Sequence, residues 1–334
     1  MTGAPRVSVL LAVYNGDRHL EASLRSVLDQ SFADFELIVV DDGSTDGTAE
    51  ILAAIQRADS RVVVVRQPNR GLTASLIRAA SMARAGYLAR QDADDISPPE
   101  RFRRQVEFLD AHPSIAAVGA WADIINESGA VIGALRPPAG PRAIEHGLLT
   151  LGTALIHGSM MMRKDAIAAV GGYREAFPVC QDYDLWLRLS ARFEIDNLPE
   201  VLNQWRMVPG NVYATRRSSQ LKYAGLALAF ARERARYGQD SYDEFRRQGA
   251  LDEFVTHYRL GAFVHAIWGE LLLRAVGNSK VVRQHFRHAL RRGHIRPRTV
   301  CLFAWTHLGL PSPGRGQLPL PDTTESPERP ATAT

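Results

Sequence analysis

The amino-acid sequence predicts an α/β fold, with a mostly parallel sheet flanked by helices and a helical extension at the C-terminus. Two observations lead to this prediction. Short apolar runs alternate with segments of helical periodicity over the first 120 residues, whereas the sequence beyond residue 217 keeps only the helical period. Strand–helix–strand units at this spacing build a parallel sheet that is covered on both faces.

The predicted elements follow in a regular order. Strands are expected at Val7–Val13, Glu36–Val40, Arg61–Val65 and Tyr87–Arg90, with helices near 20–28, 46–58 and 72–83 between them. A proline-rich stretch at 136–141 predicts a loop. Residues 157–177 then predict a strand, a helix and a Gly-Gly turn, and a further helix starts near residue 181. Beyond it, residues 251–275 show the spacing of a long amphipathic helix.

Composition points to an ordinary globular protein in a reducing compartment. The 334 residues are 46% apolar and 23% charged, which predicts a sizeable core. The two cysteines, Cys180 and Cys301, stand far apart, so we expect neither a disulfide framework nor a structural zinc site, and a cytoplasmic location. We interpret the N-terminal apolar run as the first strand, not as a signal peptide. No uncharged run approaches the ~20 residues of a membrane-spanning helix.

Charge divides the chain into three parts. Residues 1–216 carry a net charge of −4, residues 217–310 carry +9 and residues 311–334 carry −1. We therefore predict an α/β domain at 1–216, a basic helical extension at 217–310 and a disordered tail at 311–334. Residues 278–298 hold seven Lys/Arg and no acidic residue. This segment is expected either to contact anionic lipid headgroups or to form a solvated helix face, and nucleic acid is disfavoured for want of a binding motif.

Three polar clusters follow predicted strands directly. They are YNGD at 14–17, DDGS at 41–44 and QDADD at 91–95. Because the carboxyl ends of parallel strands meet at one edge of the sheet, where ligands of such sheets bind, we expect these clusters to lie together.

The QDADD cluster predicts a divalent cation. In an extended segment, Asp92 and Asp94 point the same way, and two like charges on one face repel unless a cation lies between them. Carboxylate oxygens of this kind suit Mg²⁺ or Mn²⁺, which bind through one or two carboxylates together with substrate phosphates. The alternative is a solvated, acidic helix N-terminus before Pro98.

The DDGS cluster raises a different question. Helix capping and a tight turn at Gly43 explain one of the two carboxylates, Asp41 and Asp42, but not both. A carboxylate at a strand end can accept a hydrogen bond from a nucleobase or a ribose hydroxyl. The sequence has neither a P-loop nor a dinucleotide-binding glycine motif. It therefore predicts a nucleotide held by carboxylates and a metal ion.

At this point the sequence resembles a known family. The stretches VSVLLAVYNGDRHLEASLRSVLDQSFADFELIVVDDGSTDGT (7–48), ARQDADDISPPERF (89–102) and HGSMMMRKDAIAAVGGYREAF (157–177), followed by QDYDLWLRL (181–189), are similar to family 2 inverting glycosyltransferases with the glycosyltransferase-A fold. The resemblance covers about residues 6–212. It implies transfer of a sugar from a nucleotide-diphosphate sugar, a UDP-sugar being expected, to an acceptor hydroxyl.

The resemblance also implies roles for individual residues. Tyr14 and Asp42 would flank the base, Asp92 would lie near the ribose, and Asp94 would bind Mn²⁺ or Mg²⁺, with Asp92 as a second metal ligand. Arg206 would bind phosphate. The full set expected to bind the nucleotide sugar is Val13, Tyr14, Asn15, Asp41, Asp42, Asp92 and Arg206.

The QDYD stretch carries the predicted catalytic base. Inverting transfer needs a group that takes the proton of the acceptor hydroxyl, and by resemblance this group is Asp182. Similar proteins have Glu where this chain has Gln181, and the neutral amide should leave the pKa of Asp182 lower than a Glu neighbour would. The alternative is that Asp182 only favours a helix N-terminus. His157, at the acceptor side by resemblance, is expected to be either a structural histidine or an acceptor contact.

A second departure concerns the end of the matching region. Related sequences often have a His that helps to bind metal or diphosphate, and this chain has Val208 there, with Arg206 and Asn211 kept nearby. Metal binding is therefore expected to rest on Asp94 and the diphosphate, and to be weak.

The favoured hypothesis is a metal-assisted, inverting glycosyltransferase that works in surface polysaccharide or lipid-linked oligosaccharide synthesis. The acceptor would be a glycan or a lipid-linked glycan, and the protein would work in the cytoplasm with peripheral contact to the inner face of the membrane. The rival is a non-catalytic protein of the same fold that binds nucleotide sugars or acts as a scaffold. Because a non-catalytic relative would be free to lose Asp182, its presence favours the enzyme.

Overall fold

The structure, a computed structural model, describes residues 3–150, 154–207, 217–249 and 251–257, together with Arg283 and Arg287. The chain divides into two compact units, Met1–Thr215 and Arg216–Thr334. The predicted tail lies outside the described residues, as do most of the predicted amphipathic helix and most of the basic segment. The three-part division of the chain therefore stays a prediction.

Strands and helices alternate through the described part of the N-terminal unit. The strands are β1 Val7–Val13, β2 Phe35–Asp41, β3 Val62–Arg66, β4 Tyr87–Asp92, β5 Ile115–Ile125, β6 Val131–Leu135, β7 Met161–Arg163 and β8 Glu194–Arg206. The helices are α1 Leu20–Leu28, α2 Thr48–Ala58, α3 Leu72–Met82, α4 Arg101–Ala111, α5 Pro141–Leu149, α6 Lys164–Ala169 and α7 Gln181–Leu189. A short 3₁₀ helix spans His157–Ser159.

The strands form one open, mixed sheet. Its order is β3-β2-β1-β4-β7-β5-β6, and β8 pairs with β5. β1, β2, β3 and β4 are parallel to one another, β8 is parallel to β5, and the short β7 runs antiparallel to β4 and β5. The predicted α/β fold with a mostly parallel sheet is confirmed.

The core explains why these segments became strands. Every residue of β1 and β2 is buried, because helices cover both faces of a parallel sheet. On α1, Leu20, Leu24 and Val27 recur at helical spacing and are fully buried. The rings of Phe35 and Phe102 meet edge to face at 5.6 Å between centroids. This packing holds the strand ends in fixed positions.

The described part of the C-terminal unit is helical. It contains α8 Arg217–Tyr237, α9 Tyr242–Gln248 and α10 Leu251–His257. The buried ring of Phe245 packs edge to face against Phe230 and Phe254. None of the helices in the described ranges is long and apolar enough to cross a membrane.

Candidate active site

The carboxyl ends of three neighbouring strands meet at one edge of the sheet. β1 lies between β2 and β4, and the register places Val13 opposite Asp41 on one side and Ala12 opposite Asp92 on the other. The three polar clusters that follow these strands are therefore adjacent, as predicted. Ligands of parallel α/β sheets bind at this edge.

The residues that end β1 connect it to the turn after β2. Val13 is buried, and its carbonyl accepts the backbone N–H of Asp42 at 2.8 Å. Asn15 adopts a φ of 52°, which Asn tolerates better than most residues, and its Oδ1 accepts the N–H of Thr45 at 2.8 Å. Tyr14 is 53% exposed. Its ring offers a flat apolar surface at the strand end, which is the surface that stacking on a nucleobase needs.

Asp41 belongs to the turn itself. Its carboxylate is buried, Oδ1 accepts the backbone N–H of Ser44 at 2.9 Å, and Oδ2 lies 3.3 Å from Nε of Arg66. A short acid that accepts the N–H of a following residue stabilises a tight turn.

Asp42 holds a second loop. Its buried carboxylate accepts three hydrogen bonds, from Nε2 of Gln67 at 2.7 Å and from the backbone N–H groups of Arg70 at 2.9 Å and Gly71 at 2.7 Å. The tight turn therefore explains Asp41 but not Asp42, as expected, and Asp42 has protein partners in a different loop. Their direct contact with a nucleotide stays a prediction.

Asp92 ends β4 and is fixed from two sides. Its Oδ1 accepts a hydrogen bond from Nη2 of Arg90 at 2.6 Å. Gly158 of the 3₁₀ helix lies against the other oxygen, because a Cβ added to this glycine would stand 2.9 Å from Oδ2 of Asp92 and equally close to Oδ2 of Asp95. A glycine is therefore needed where this helix approaches the acids.

Asp94 and Asp95 have different environments within the same turn. Burial, followed by the charge of Asp92, raises the pKa of Asp94 to about 6. Burial and the charges of Asp92 and Asp94 raise the pKa of Asp95 well above its ordinary value. The carboxylate of Asp95 accepts the N–H of Arg206 at 2.9 Å and Nδ2 of Asn203 at 3.2 Å. Asp95 is thus tied to β8.

Arg206 connects β8 to the acidic turn. Its Nε donates to the carbonyl of Asp94 at 2.8 Å, and its Nη1 donates to the carbonyls of Asn126 at 2.8 Å and Glu127 at 3.1 Å. Among the guanidinium nitrogens, Nη2 makes no hydrogen bond to the described residues. The contact of Arg206 with phosphate stays a prediction, and it would have to use Nη2.

His157 lies in an aromatic cluster. Its Nε2 is 2.8 Å from the hydroxyl of Tyr173, and its ring stands edge to face with the rings of Tyr173 and Trp186. Burial, and then the charge of Arg90, hold the pKa of His157 well below its ordinary value. The imidazole is therefore neutral at pH 7. Of the two expectations for this residue, the structure shows the hydrogen-bonded histidine, and acceptor contact stays a prediction.

Asp182 is the second residue of α7. The helix follows Cys180, whose φ of 58° turns the chain sharply before it. Burial raises the pKa of Asp182, the N–H groups of Tyr183 and of Asp182 itself lower it, and the charges of Asp92 and Arg90 raise and lower it respectively. The predicted base therefore interacts electrostatically with the end of β4. Gln181, beside it, is buried.

Comparison with known proteins decides the family. The model named Glycosyl transferase family 2 matches residues 8–171. The putative glycosyltransferase EpsE of Bacillus subtilis is 39% identical over 211 residues, which is 62% of this chain and 74% of that protein. The chain belongs to glycosyl transferase family 2. The O-antigen biosynthesis glycosyltransferase WbnJ of Escherichia coli is 31% identical over 205 residues, covering 60% of this glycosyltransferase and 79% of WbnJ.

Solved structures agree on the fold of this glycosyltransferase. Staphylococcus aureus TarS 1–349, solved in complex with UDP-GlcNAc, matches with a TM-score of 0.59 at 15% identity, over 91% of this chain and 92% of that one. The mannosyltransferase PcManGT of Pyrobaculum calidifontis, in complex with GDP-Man and Mn²⁺, matches with a TM-score of 0.54 at 17% identity, over 92% and 85%. The predicted glycosyltransferase-A fold is confirmed.

The acidic turn suits a divalent cation in its chemistry. The carboxylate of Asp94 accepts no side-chain hydrogen bond within the described residues, and its pKa is raised first by burial and then by the charge of Asp92, both of which a bound cation would offset. The same residues contain no group of three or more His, Cys, Asp or Glu side chains arranged to hold a metal ion. Asp94 is thus the carboxylate that could hold a cation, which substrate oxygens would have to help bind.

Sequence reasoning missed Arg90, Tyr173 and Trp186. Arg90 could have been found, because a charged residue ends the predicted strand two positions before Asp92 and on the same face. The two aromatic residues gave no such signal, since their positions relative to His157 depend on the folded chain. The predictions that concern Val208 and Asn211 fall outside the described residues.

Proposed function

We propose that this glycosyltransferase transfers a sugar, with inversion of the anomeric centre, from a nucleotide-diphosphate sugar to an acceptor hydroxyl. The observation that supports this most directly is the packing of the His157–Ser159 helix, where Gly158 lies against Oδ2 of Asp92 and the ring of His157 meets Trp186 of α7, the helix that holds Asp182. Asp92 ends the strand at the predicted nucleotide site, and Asp182 begins a helix that is distant in sequence. The proximity of the end of β4 to α7 supports a donor site and an acceptor site that lie next to each other.

Asp182 would act as the general base. Its carboxylate would accept the proton of the acceptor hydroxyl while the hydroxyl oxygen forms a bond to the anomeric carbon. The bond from that carbon to the diphosphate oxygen breaks on the opposite face, so the nucleotide diphosphate leaves with the electron pair. No covalent bond to the enzyme is needed. Burial of Asp182 supports this role, because a raised pKa makes its carboxylate a stronger base.

The donor side would use the ends of β1, β2 and β4. Tyr14 would lie against the base, Asp92 near the ribose, and the turn and loop held by Asp41 and Asp42 would shape the rest of the nucleotide site. Asp94, with Asp92 beside it, would hold Mn²⁺ or Mg²⁺. When bound, such a cation stabilises the negative charge of the departing diphosphate.

We propose a UDP-sugar as donor and a growing glycan or lipid-linked glycan as acceptor. The complex of TarS with UDP-GlcNAc supports the first, although PcManGT binds GDP-Man. The names of WbnJ, for O-antigen, and of AmsE of Erwinia amylovora, for amylovoran, support polysaccharide synthesis. The charge of +9 on residues 217–310 would suit an acceptor at an anionic membrane surface on the cytoplasmic side.

Nucleotide release from a panel of nucleotide sugars tests this proposal. The full-length protein is incubated with each donor, with Mn²⁺ or with chelator, and wild type is compared with Asp182→Asn and Asp94→Ala. Asp165→Asn and Asp34→Ala serve as matched controls, because both acids are exposed and far from the acidic turn in sequence. Proton NMR of the product from the accepted donor then reports whether the anomeric centre is inverted.

We expect Mn²⁺-dependent release from one donor, which Asp94→Ala abolishes and the two controls retain. Asp182→Asn should lower release by about 100-fold or more. Donor binding by calorimetry without release or transfer, in the presence of candidate acceptors, would instead support a non-catalytic binding protein. Absence of both binding and release for every donor would contradict the proposal.

A further inference from the structure

Arg90 is a charged residue in the middle of a buried strand. It is fully buried in β4, where it stands opposite Leu10 of β1. Its Nη2 donates to Oδ1 of Asp92 at 2.6 Å, and its Nη1 donates to the carbonyl of Gln91. Its Nε is buried and makes no hydrogen bond to the described residues. Burying a guanidinium with an unsatisfied N–H costs free energy that an apolar residue would avoid, so the fold alone does not explain it.

A second buried arginine shows what a structural role looks like. Arg101 of α4 is also fully buried, but its guanidinium donates to neutral oxygens, including Oε1 of Gln91 at 3.0 Å and Oγ of Ser97 at 2.8 Å. It makes no ion pair with a carboxylate in the described part of the chain. Burial lowers the pKa of Arg101 to about 9, against the charges of Asp95 and Asp92, but its hydrogen bonds fasten α4 to β4. Arg90 instead donates directly to a carboxylate of the candidate active site.

The charge of Arg90 reaches residues on both sides of the candidate active site. On the donor side it binds Asp92, whose other oxygen is confined by Gly158. On the acceptor side its positive charge acts on His157 and Asp182 and lowers the pKa of each. The guanidinium therefore contacts the end of β4 directly and acts on His157 and Asp182 through its charge.

We propose that Arg90 is a positioning residue of the transfer reaction, whose guanidinium fixes the carboxylate of Asp92 against the 3₁₀ helix, at the point where the donor side meets the acceptor side. This inference rests on the proposed function. The residue does not touch the reacting atoms and acts through Asp92.

Steady-state kinetics of Arg90→Lys and Arg90→Met test the proposal, with Arg101→Met as the matched control. All variants are full-length, and kcat, donor KM and Tm are measured with the donor identified for the wild type. We expect Arg90→Met to lower kcat by about 100-fold, the loss typical of removing one preorganised electrostatic group. Arg90→Lys keeps the charge but not the planar fork, so its kcat should fall by only about 10-fold.

The control separates chemistry from folding. Arg101→Met should lower Tm at least as much as Arg90→Met while its kcat stays within about threefold of wild type. Wild-type kcat in Arg90→Met, or equal losses of kcat in Arg90→Met and Arg101→Met, would overturn the positioning role. If Arg90→Met does not fold, Arg90→Lys decides, because unchanged kcat in that variant overturns the proposal. A wild-type protein that transfers from no donor would refute the proposed function itself.

Discussion

The carboxylate of Asp184 accepts two hydrogen bonds from the guanidinium of Arg188, from Nε at 3.0 Å and from Nη2 at 2.7 Å. Asp182 begins the same helix, yet no side chain in the described ranges donates a hydrogen bond to its carboxylate. The two acids lie in one helical turn but differ in whether their carboxylates have a side-chain partner. Asp184 is neutralised within the fold, whereas Asp182 remains available to take a proton.

This difference predicts opposite outcomes for two similar substitutions. Asp182→Asn should lower kcat by about 10²- to 10⁴-fold because the acceptor loses its base, while nucleotide binding measured by calorimetry stays near wild type. Asp184→Asn should instead destabilise the protein by about 3–5 kcal/mol, because the buried guanidinium of Arg188 loses its ion pair with Asp184. Normal kcat in Asp182→Asn would contradict the base assignment, whatever Asp184→Asn does.

The difference in Tm between Asp182→Asn and wild type should depend on pH, with the variant more stable at neutral pH. Burial raises the pKa of Asp182 above its ordinary value of 3.8, so the folded protein binds this proton more tightly than the unfolded chain does. The residue thus favours folding below pH 3.8, and this contribution is lost as the pH rises through the raised pKa. At pH 7 we expect Asp182→Asn to melt at a higher temperature than wild type, with the difference vanishing toward pH 4. If calorimetry at pH 7 instead gave a lower Tm for Asp182→Asn than for wild type, the folded protein would be stabilising the ionised carboxylate of Asp182.

The transfer rate should fall on the acid side at a pH above that of a free aspartate. Asp182 must be ionised to act as a base, and burial together with Asp92 raises its pKa, against the smaller opposing charge of Arg90. The midpoint of the acid limb of kcat should therefore lie above pH 3.8. Initial rates at saturating donor, with nucleotide affinity followed in parallel by calorimetry, measure it. If the acid limb of kcat came from donor binding alone, nucleotide affinity and transfer rate would fall over the same pH range.

Gly158 is expected to tolerate no side chain. In Gly158→Ala the added Cβ would stand 2.9 Å from Oδ2 of both Asp92 and Asp95, so these acids must move. We expect a loss of about 1–3 kcal/mol in the free energy of unfolding and about tenfold weaker nucleotide binding. Gly86→Ala is the matched control, because nothing lies within 4 Å of its added Cβ. Unfolding in urea and calorimetry with UDP measure both, and equal behaviour of the two variants would contradict the prediction.

Asp42→Asn distinguishes loop anchoring from nucleotide contact. One of its two acceptor oxygens becomes a donor, so a backbone N–H of Arg70 or Gly71 loses its partner, at a cost of about 1–3 kcal/mol. We expect a lower urea midpoint with an unchanged m-value, and Asp34→Asn, an exposed acid, should show neither change. If Asp42→Asn kept its stability but lost nucleotide affinity, the carboxylate would contact the nucleotide and would not be needed to anchor the loop.

Local periodicity was sufficient to predict the first half of the sheet. The expected strand Val7–Val13 matches β1 at both ends, because a continuous apolar run flanked by polar residues has one interpretation in a parallel sheet. β5 and β8 were not predicted. β8 carries polar residues such as Asn203 and Gln204 within a strand whose partner, β5, lies far away in sequence, and such non-local pairing leaves little local signal.

The candidate active site was predictable to the level of its strand ends. The carboxyl-end rule places Asp92 beside the ends of β1 and β2, and the structure agrees. What each carboxylate binds was not predictable. The partners of Asp42 belong to a loop 25 or more residues away, and those of Arg206 belong to two other turns. Sequence separation hides such contacts until the strands are in register.

The anchoring of the loop after β3 has a consequence for which of its side chains can vary. Asp42 binds the amides of Arg70 and Gly71 through the main chain, so the anchor does not depend on which side chain position 70 carries, proline excepted. That side chain can be exchanged while the backbone stays where it is. Position 70, whose exposed side chain pairs with Glu175, is therefore a site where saturation mutagenesis should find many residues that leave the fold intact.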